Sequence, residues 1–274
     1  EGVREGVVYV NKKNDNGIWE EVSRLYGSDY GINSLGGMLS LSGNNLINVR
    51  YVIDSEDTSL RKVLVDVLER QDDESWILKS TTDISSHIGQ GEIGNYLAVP
   101  TSIDLSGNIL VIGFNTDNTY GQANPTYPCF SAEYGYGAAY VFNIQLDGSL
   151  MFVQSLSGSL DDSIQCDSPR FGDRVSLTNN TLAISAPLWC LDCGNIEEPG
   201  GFDTHYGCVY IFELQGDGTW LETHQIINLE LGHNTELGYF GLSLSESGDR
   251  LFVIPRFSQT AGDKNDLFLY EKQN

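Results

Sequence analysis

The chain has 274 residues, 40% of them hydrophobic, which is enough for a sizeable core and too many for a disordered segment. Its 15 Lys and Arg stand against 38 Asp and Glu, a formal charge of −23 at pH 7 that repels nucleic-acid phosphates and anionic lipid headgroups. No apolar run approaches the roughly 18 residues that cross a bilayer. The expected partners therefore exclude nucleic acid, and no membrane span is predicted.

The remaining polar surface is Ser, Thr, Asn and Gly, a composition typical of turn-rich extracellular β proteins. With Glu1 first and no apolar leader, the sequence reads as a processed mature protein or as part of a longer one.

The first predicted element is a hairpin. Gly6-Val-Val-Tyr-Val-Asn alternates apolar and polar residues, reaches the turn Asp15-Asn16-Gly17 and resumes at Trp19. A different hairpin follows, in which the register residue Leu41 leads into the polar turn Ser42-Gly43-Asn44-Asn45. Residues 61–70 alternate as a strand and reach Asp72-Asp73-Glu74-Ser75 and Trp76.

The pair of hairpins then recurs. Ser102-Ile-Asp-Leu-Ser-Gly-Asn-Ile-Leu-Val-Ile is followed by Gly137-Ala-Ala-Tyr-Val-Phe, the turn Asp147-Gly148 and Leu150. Arg170-Phe-Gly precedes a hairpin with register residue Leu177 that ends in Ala186-Pro187; Gly207-Cys-Val-Tyr-Ile-Phe, Asp217-Gly218 and Trp220 come next. Tyr239-Phe-Gly opens the last first-type hairpin, which ends in Ile254-Pro255, and Asp266-Leu-Phe-Leu-Tyr closes the series.

Tyr9, Asp66, Tyr140, Tyr210 and Tyr270 anchor the five copies. A unit of two hairpins about 65–70 residues long, repeated along one chain, is the signature of an array whose units do not fold alone. The predicted fold is all-β, a β-propeller of four-stranded antiparallel blades with about four to five units visible. It forms one domain over 1–274, with units at 1–29 (partial), 30–80, 94–156, 171–229 and 239–274 (partial). Because the series starts on a second-type hairpin and ends on a lone strand, three arrangements are open. The ring closes on itself, the units belong to a larger propeller, or terminal strands complete a blade in a neighbouring molecule.

The phrases Phe171-Gly172 leading to Ser185-Ala186-Pro187, and Phe240-Gly241 leading to Val253-Ile254-Pro255, resemble FG-GAP repeats, the blades of integrin α-subunit propellers. Gly207-Cys-Val-Tyr-Ile-Phe and Asp217-Gly-Thr-Trp fit the same pattern, while Tyr30-Gly31 and Tyr96-Leu97 depart from it. The resemblance implies a calcium loop in the first-type turn. The turns at Ser42, Ser106, Thr178 and Ser245 do not supply three carboxylates, so no cofactor is expected. Asp161-Asp162 and the stretch Asn115-Thr116-Asp117-Asn118 are the remaining calcium candidates.

In this topology the long inserts share one face with Cys129, Cys166, Cys190, Cys193 and Cys208. They are read as disulfide candidates, Cys208 with Cys190 or Cys193 and Cys129 with Cys166. Cys190-x-x-Cys193 with His205-x-x-Cys208 keeps a zinc alternative open. His87, His205, His224 and His233 share no spacing that marks a metal site or a catalytic triad. Asn179-Asn180-Thr181 is a glycosylation sequon in a turn, and Trp189 is the binding-face candidate. Trp19, Trp76 and Trp220 share one register and are expected to pack between blades. Carboxylates are too many for a catalytic pair to be chosen.

These readings predict a non-enzymatic extracellular or cell-surface propeller for adhesion, recognition or assembly, binding a protein or glycan through its long-loop face, with possible self-assembly through its terminal strands. The alternatives are a filament subunit and a polysaccharide-active enzyme.

Overall fold

A computed structural model describes residues 6–53, 61–89, 97–117, 136–159, 169–188, 207–227, 235–257 and 267–272. Its elements are β-strands apart from two single 3-10 turns, Gly27–Tyr30 and Ser85–His87. A two-stranded sheet of β1 (Val7–Lys13) and β2 (Trp19–Tyr26) comes first. Three four-stranded antiparallel meanders follow. The first is β3 (Met38–Ser42), β4 (Asn45–Ile53), β5 (Arg61–Arg70) and β6 (Trp76–Asp83). The second is β7 (Ser102–Ser106), β8 (Ile109–Phe114), β9 (Ala138–Ile144) and β10 (Leu150–Leu156). The third is β11 (Val175–Leu177), β12 (Thr181–Ala186), β13 (Cys208–Leu214) and β14 (Trp220–Ile226). A three-stranded sheet of β15 (Thr235–Leu244), β16 (Arg250–Phe257) and β17 (Phe268–Glu271) ends the series.

The inner strands β3, β7, β11 and β15 stand side by side, each touching the next. One repeated position stitches them together. Leu244 N–H donates to Ser176 Oγ at 2.9 Å, and Leu177 N–H donates to Asp104 Oδ2 at 2.8 Å. Ser40 Oγ reaches Asp104 Oδ1 at 3.3 Å. Burial pushes the Asp104 carboxyl above the usual carboxylate range, while the bonds from Leu177, Leu105 and Ser40 oppose that rise.

The sheets bury apolar faces against one another. Val65, Ile112, Tyr140 and Phe142 lie between the first and second meanders. Phe171, Ile184, Tyr210 and Trp220 belong to the core between the second and third. Fully buried side chains of this size contribute about 1.5–3 kcal/mol each. Trp76 and Trp220 are 9% and 4% exposed, so both pack between sheets. Trp19 is 68% exposed, because β1–β2 has no sheet on its outer side among the described residues.

The second-type turns of the three four-stranded sheets share one chemistry, whereas in β1–β2 it is Asn14 Oδ1 that accepts the Asn16 and Ile18 N–H groups. Asp147 Oδ1 accepts the Ser149 N–H at 2.9 Å and its hydroxyl at 2.6 Å, and Asp217 does the same for Thr219 at 2.9 and 2.7 Å. Asp73 repeats the arrangement with Ser75. The following position is left-handed in each case, at Gly148, Gly218 and the non-glycine Glu74. A bulge near the middle of every second-type hairpin keeps these turns in a common register.

Two details depart from the sequence reading. Phe268 pairs with Val253 as Tyr210 pairs with Ile184, so the anchor of the last unit is Phe268 and not Tyr270. Asp66 fills the anchor position of the first meander, where Tyr140 and Tyr210 stand in the others. It is fully buried and accepts from Asn48 Nδ2 (2.9 Å), Arg50 Nε (2.9 Å), Arg50 Nη2 (3.2 Å) and Thr81 Oγ1 (2.7 Å).

Candidate functional site

In a four-stranded meander the turns after the first and third strands lie at one end. The connections after the second and fourth strands lie at the other. The Phe171-Gly172 motif sits at this second, long-loop end, and its backbone is tightly constrained. Arg170 and Gly172 both have positive φ (55° and 89°), and Asp173 N–H closes the bend on the Arg170 carbonyl at 3.2 Å. Gly172 donates to the Ser185 carbonyl at 3.0 Å, and its own carbonyl accepts Thr101 Oγ1 at 2.9 Å and Ser102 Oγ at 3.1 Å. Phe171 locks the bend from below, edge-on to Tyr210 at 5.3 Å.

This clamp presents Asp173 and Arg174 just ahead of β11. The Asp173 side chain is 7% exposed, and its Oδ1 accepts Asn115 Nδ2 at 2.6 Å. Among the described residues Oδ2 has no hydrogen-bond partner, and it is itself buried. Arg174 Nη1 stands 3.2 Å from Oδ2 but directs its N–H to the Asp173 carbonyl at 2.7 Å, so the two groups form an ion pair without a hydrogen bond. The Arg174 side chain is 38% exposed, whereas Asp173 Oδ2 itself is buried. A buried carboxylate oxygen with an empty acceptor site is costly unless something occupies it. The neighbouring guanidinium disfavours a cation there, and among the described residues no three His, Cys, Asp or Glu are grouped to hold a metal.

The sequence-derived candidates fall elsewhere. Cys129, Cys166, Cys190, Cys193, Trp189 and the pair Asp161-Asp162 lie outside the described residues. Cys208 is a correction: it is a free thiol, fully buried at the start of β13 in the core between the second and third meanders, not on a loop. Burial pushes its pKa far up, which keeps it protonated and unreactive. Asn179 lies in the exposed turn at the opposite end and accepts Ser106 Oγ at 3.1 Å. Asp117, from the acidic stretch considered for calcium, is fully buried and accepts Tyr140 Oη at 2.7 Å and the Gly89 N–H at 2.9 Å. Sequence reasoning passed over Asp173. The available signal was a carboxylate placed directly after the Phe-Gly pair.

Two solved structures resemble this chain over nearly its whole length. A protein from Lactobacillus plantarum superposes with a TM-score of 0.52 at 11% identity, covering 99% of this chain and 65% of the other. A periplasmic gluconolactonase from Pseudomonas aeruginosa superposes with a TM-score of 0.52 at 15% identity, covering 100% and 62%. The fold is a β-propeller. The chain spans slightly less than two thirds of either propeller's length. No protein-family signature and no curated protein matches the sequence.

These likenesses overturn the expectation of a non-enzymatic adhesion, recognition or assembly module. That expectation rested on a resemblance to surface-adhesion propellers, whereas the solved propellers found here include an enzyme. At such identities the likeness establishes the fold, and the chemistry must be argued from the site.

Proposed function

We propose that the chain is a hydrolytic propeller acting outside the cytoplasm on a small hydroxylated lactone or ester, with Asp173 as general base. The observation that carries this reading is the buried, unsatisfied Oδ2 of a 7%-exposed carboxylate beside a part-exposed Arg174. Asn115 holds Oδ1 and so fixes the direction of Oδ2. The likeness to a periplasmic gluconolactonase supports both the substrate class and the location.

In this reaction Oδ2 takes a proton from a bound water as the water oxygen bonds to the carbonyl carbon. Arg174 offsets the charge that builds on the carbonyl oxygen. The tetrahedral intermediate collapses with cleavage of the ring or ester C–O bond, the leaving alkoxide recovers the proton from Asp173, and a hydroxy acid departs.

Hydrolysis of glucono-1,5-lactone and a panel of related lactones and esters, followed by pH-stat, tests this directly. Asp173→Asn keeps the shape and lowers kcat by about 100- to 10,000-fold. Wild-type rates equal to spontaneous hydrolysis across the panel would falsify the proposal.

A further inference from the structure

At its turn end, the seam between the first and second meanders differs from the seam between the second and third. The later seam is apolar: Trp220 opens β14, and Ile109 and Val153 of the preceding sheet pack partly buried against the core that holds it. Strand register gives the counterparts at the earlier seam. Asn45 pairs with Glu69 as Ile109 pairs with Asn143, and Lys79 is the unpaired bulge residue of β6 as Val153 is of β10. Leu150 opens the fourth strand where Trp220 does in the next sheet. Two apolar side chains and an indole are thus replaced by Asn45, Lys79 and the smaller Leu150, a set that does not close the seam dry. A pocket of about 520 Å³ opens there, within the range of about 300–1,000 Å³ common to small-ligand sites.

Both sheets contribute to it, Asn45, Glu69 and Lys79 from the first and Asn108, Asn143 and Met151 from the second. The wall is braced across the seam. Lys79 Nζ donates to Glu69 Oε1 at 3.2 Å and to the Leu146 carbonyl at 2.6 Å, and Ser80 Oγ donates to the Gly148 carbonyl at 2.6 Å. Lys79 and Glu69 are the two charged groups of the lining, and their ion pair leaves the pocket favouring neither anion nor cation. The side-chain amides of Asn45, Asn108 and Asn143 bond to no described residue, so each offers donors and an acceptor to a ligand. Leu146 and Met151, 98% and 49% exposed, add an apolar patch beside them. Free amides match hydroxyl groups, which also donate and accept, and the patch matches the C–H face of a sugar ring.

We propose that this seam pocket binds an uncharged oligosaccharide, its hydroxyls held by Asn45, Asn108 and Asn143 and its C–H face set on Leu146 and Met151. The site lies at the turn end, opposite the Asp173 bend, and is independent of the hydrolytic reading.

Isothermal titration of the full chain with maltotetraose, cellotetraose, mannotetraose, galactotetraose and chitotetraose tests this. At least one binds with a Kd below about 1 mM, and the charged tetragalacturonate binds at least about tenfold more weakly than the best of them. Asn143→Ala and Asn108→Ala each weaken the best ligand about three- to tenfold; the second is an exposed change that leaves folding intact. Asn45→Ile combined with Lys79→Val, which copies the apolar pair of the later seam, abolishes binding. Asp173→Asn binds the sugar as tightly as wild type. A Kd above about 1 mM for every neutral sugar, a preference for the charged one, or an affinity indifferent to the asparagine and seam variants overturns the proposal. Loss of binding in Asp173→Asn does so too, since it would put the sugar at the other end.

Discussion

Replacing Asp66 by alanine should cost far more than a typical surface change. The carboxylate accepts four hydrogen bonds at 2.7–3.2 Å, from Thr81, Asn48 and both donors of Arg50. Its removal leaves the Asn48 amide fully buried and the Arg50 side chain only 12% exposed, with neither keeping its carboxylate acceptor. Breaking a buried pair by deleting one partner costs about 3–5 kcal/mol, because the surviving charge stays desolvated. For a chain of this size that corresponds to a melting-point drop of roughly 6–20 °C.

The neighbouring blade supplies a control. Ile112 and Phe114 stand where Asn48 and Arg50 do, opposite Tyr140 and Ala138. The triple variant Asn48→Ile, Arg50→Phe, Asp66→Tyr removes the buried charge pair and its amide partner together, leaving only the Gly36 N–H and the Thr81 hydroxyl without their acceptors, and should recover part of the loss. Urea denaturation of wild type, the single variant and the triple variant measures both effects. A single-variant loss below about 1 kcal/mol would show that water reaches the network, and would refute the reasoning.

Other expectations follow from the same geometry. Gly172→Ala combines a left-handed φ of 89° with a Cβ only 2.4 Å from the Ala138 carbonyl oxygen, whereas Gly218→Ala has a similar φ of 87° and open space. The second should destabilise by about 1–2 kcal/mol and the first by clearly more, so equal urea midpoints would contradict the steric argument. Trp220→Ala should cost about 3–5 kcal/mol and Trp19→Ala less than about 0.5 kcal/mol, since only the first is buried.

Acidification separates two kinds of carboxylate. Asp73, Asp147, Asp217 and Asp249 are held below their usual range by hydroxyl and amide donors, so their contribution is present above about pH 4 and is lost as pH falls through their folded values. Asp104 has the opposite sign. Its raised value makes stability fall as pH climbs above about 4, and Asp104→Ser should abolish that decline in denaturation curves taken between pH 4 and 7.

Much of the fold was legible because it rests on local chemistry. Alternation within strands, Asp-Gly turns and the Gly-x-x-Tyr anchors each act over a few residues, so the chain order of hairpins can be read directly. The limits of that reading are equally physical. The two-residue shift from Tyr270 to Phe268 keeps the same face of the strand, and alternation alone cannot detect it. Trp19 shares the register of Trp76 and Trp220 yet is exposed, because burial requires a neighbouring sheet that no local pattern encodes. Cys208 sits in a loop-flanked phrase but points into the core.

By itself, then, the sequence determined an all-β array of two-hairpin units, since period-two patterning and turn residues fix strands without reference to distant contacts. Only the tertiary structure singled out Asp173. Asp173 differs from the buried Asp66 and Asp117 in its unsatisfied oxygen, and its place is set by Asn115, Ser185 and Thr101 being brought to the Phe-Gly bend from three other places in the chain.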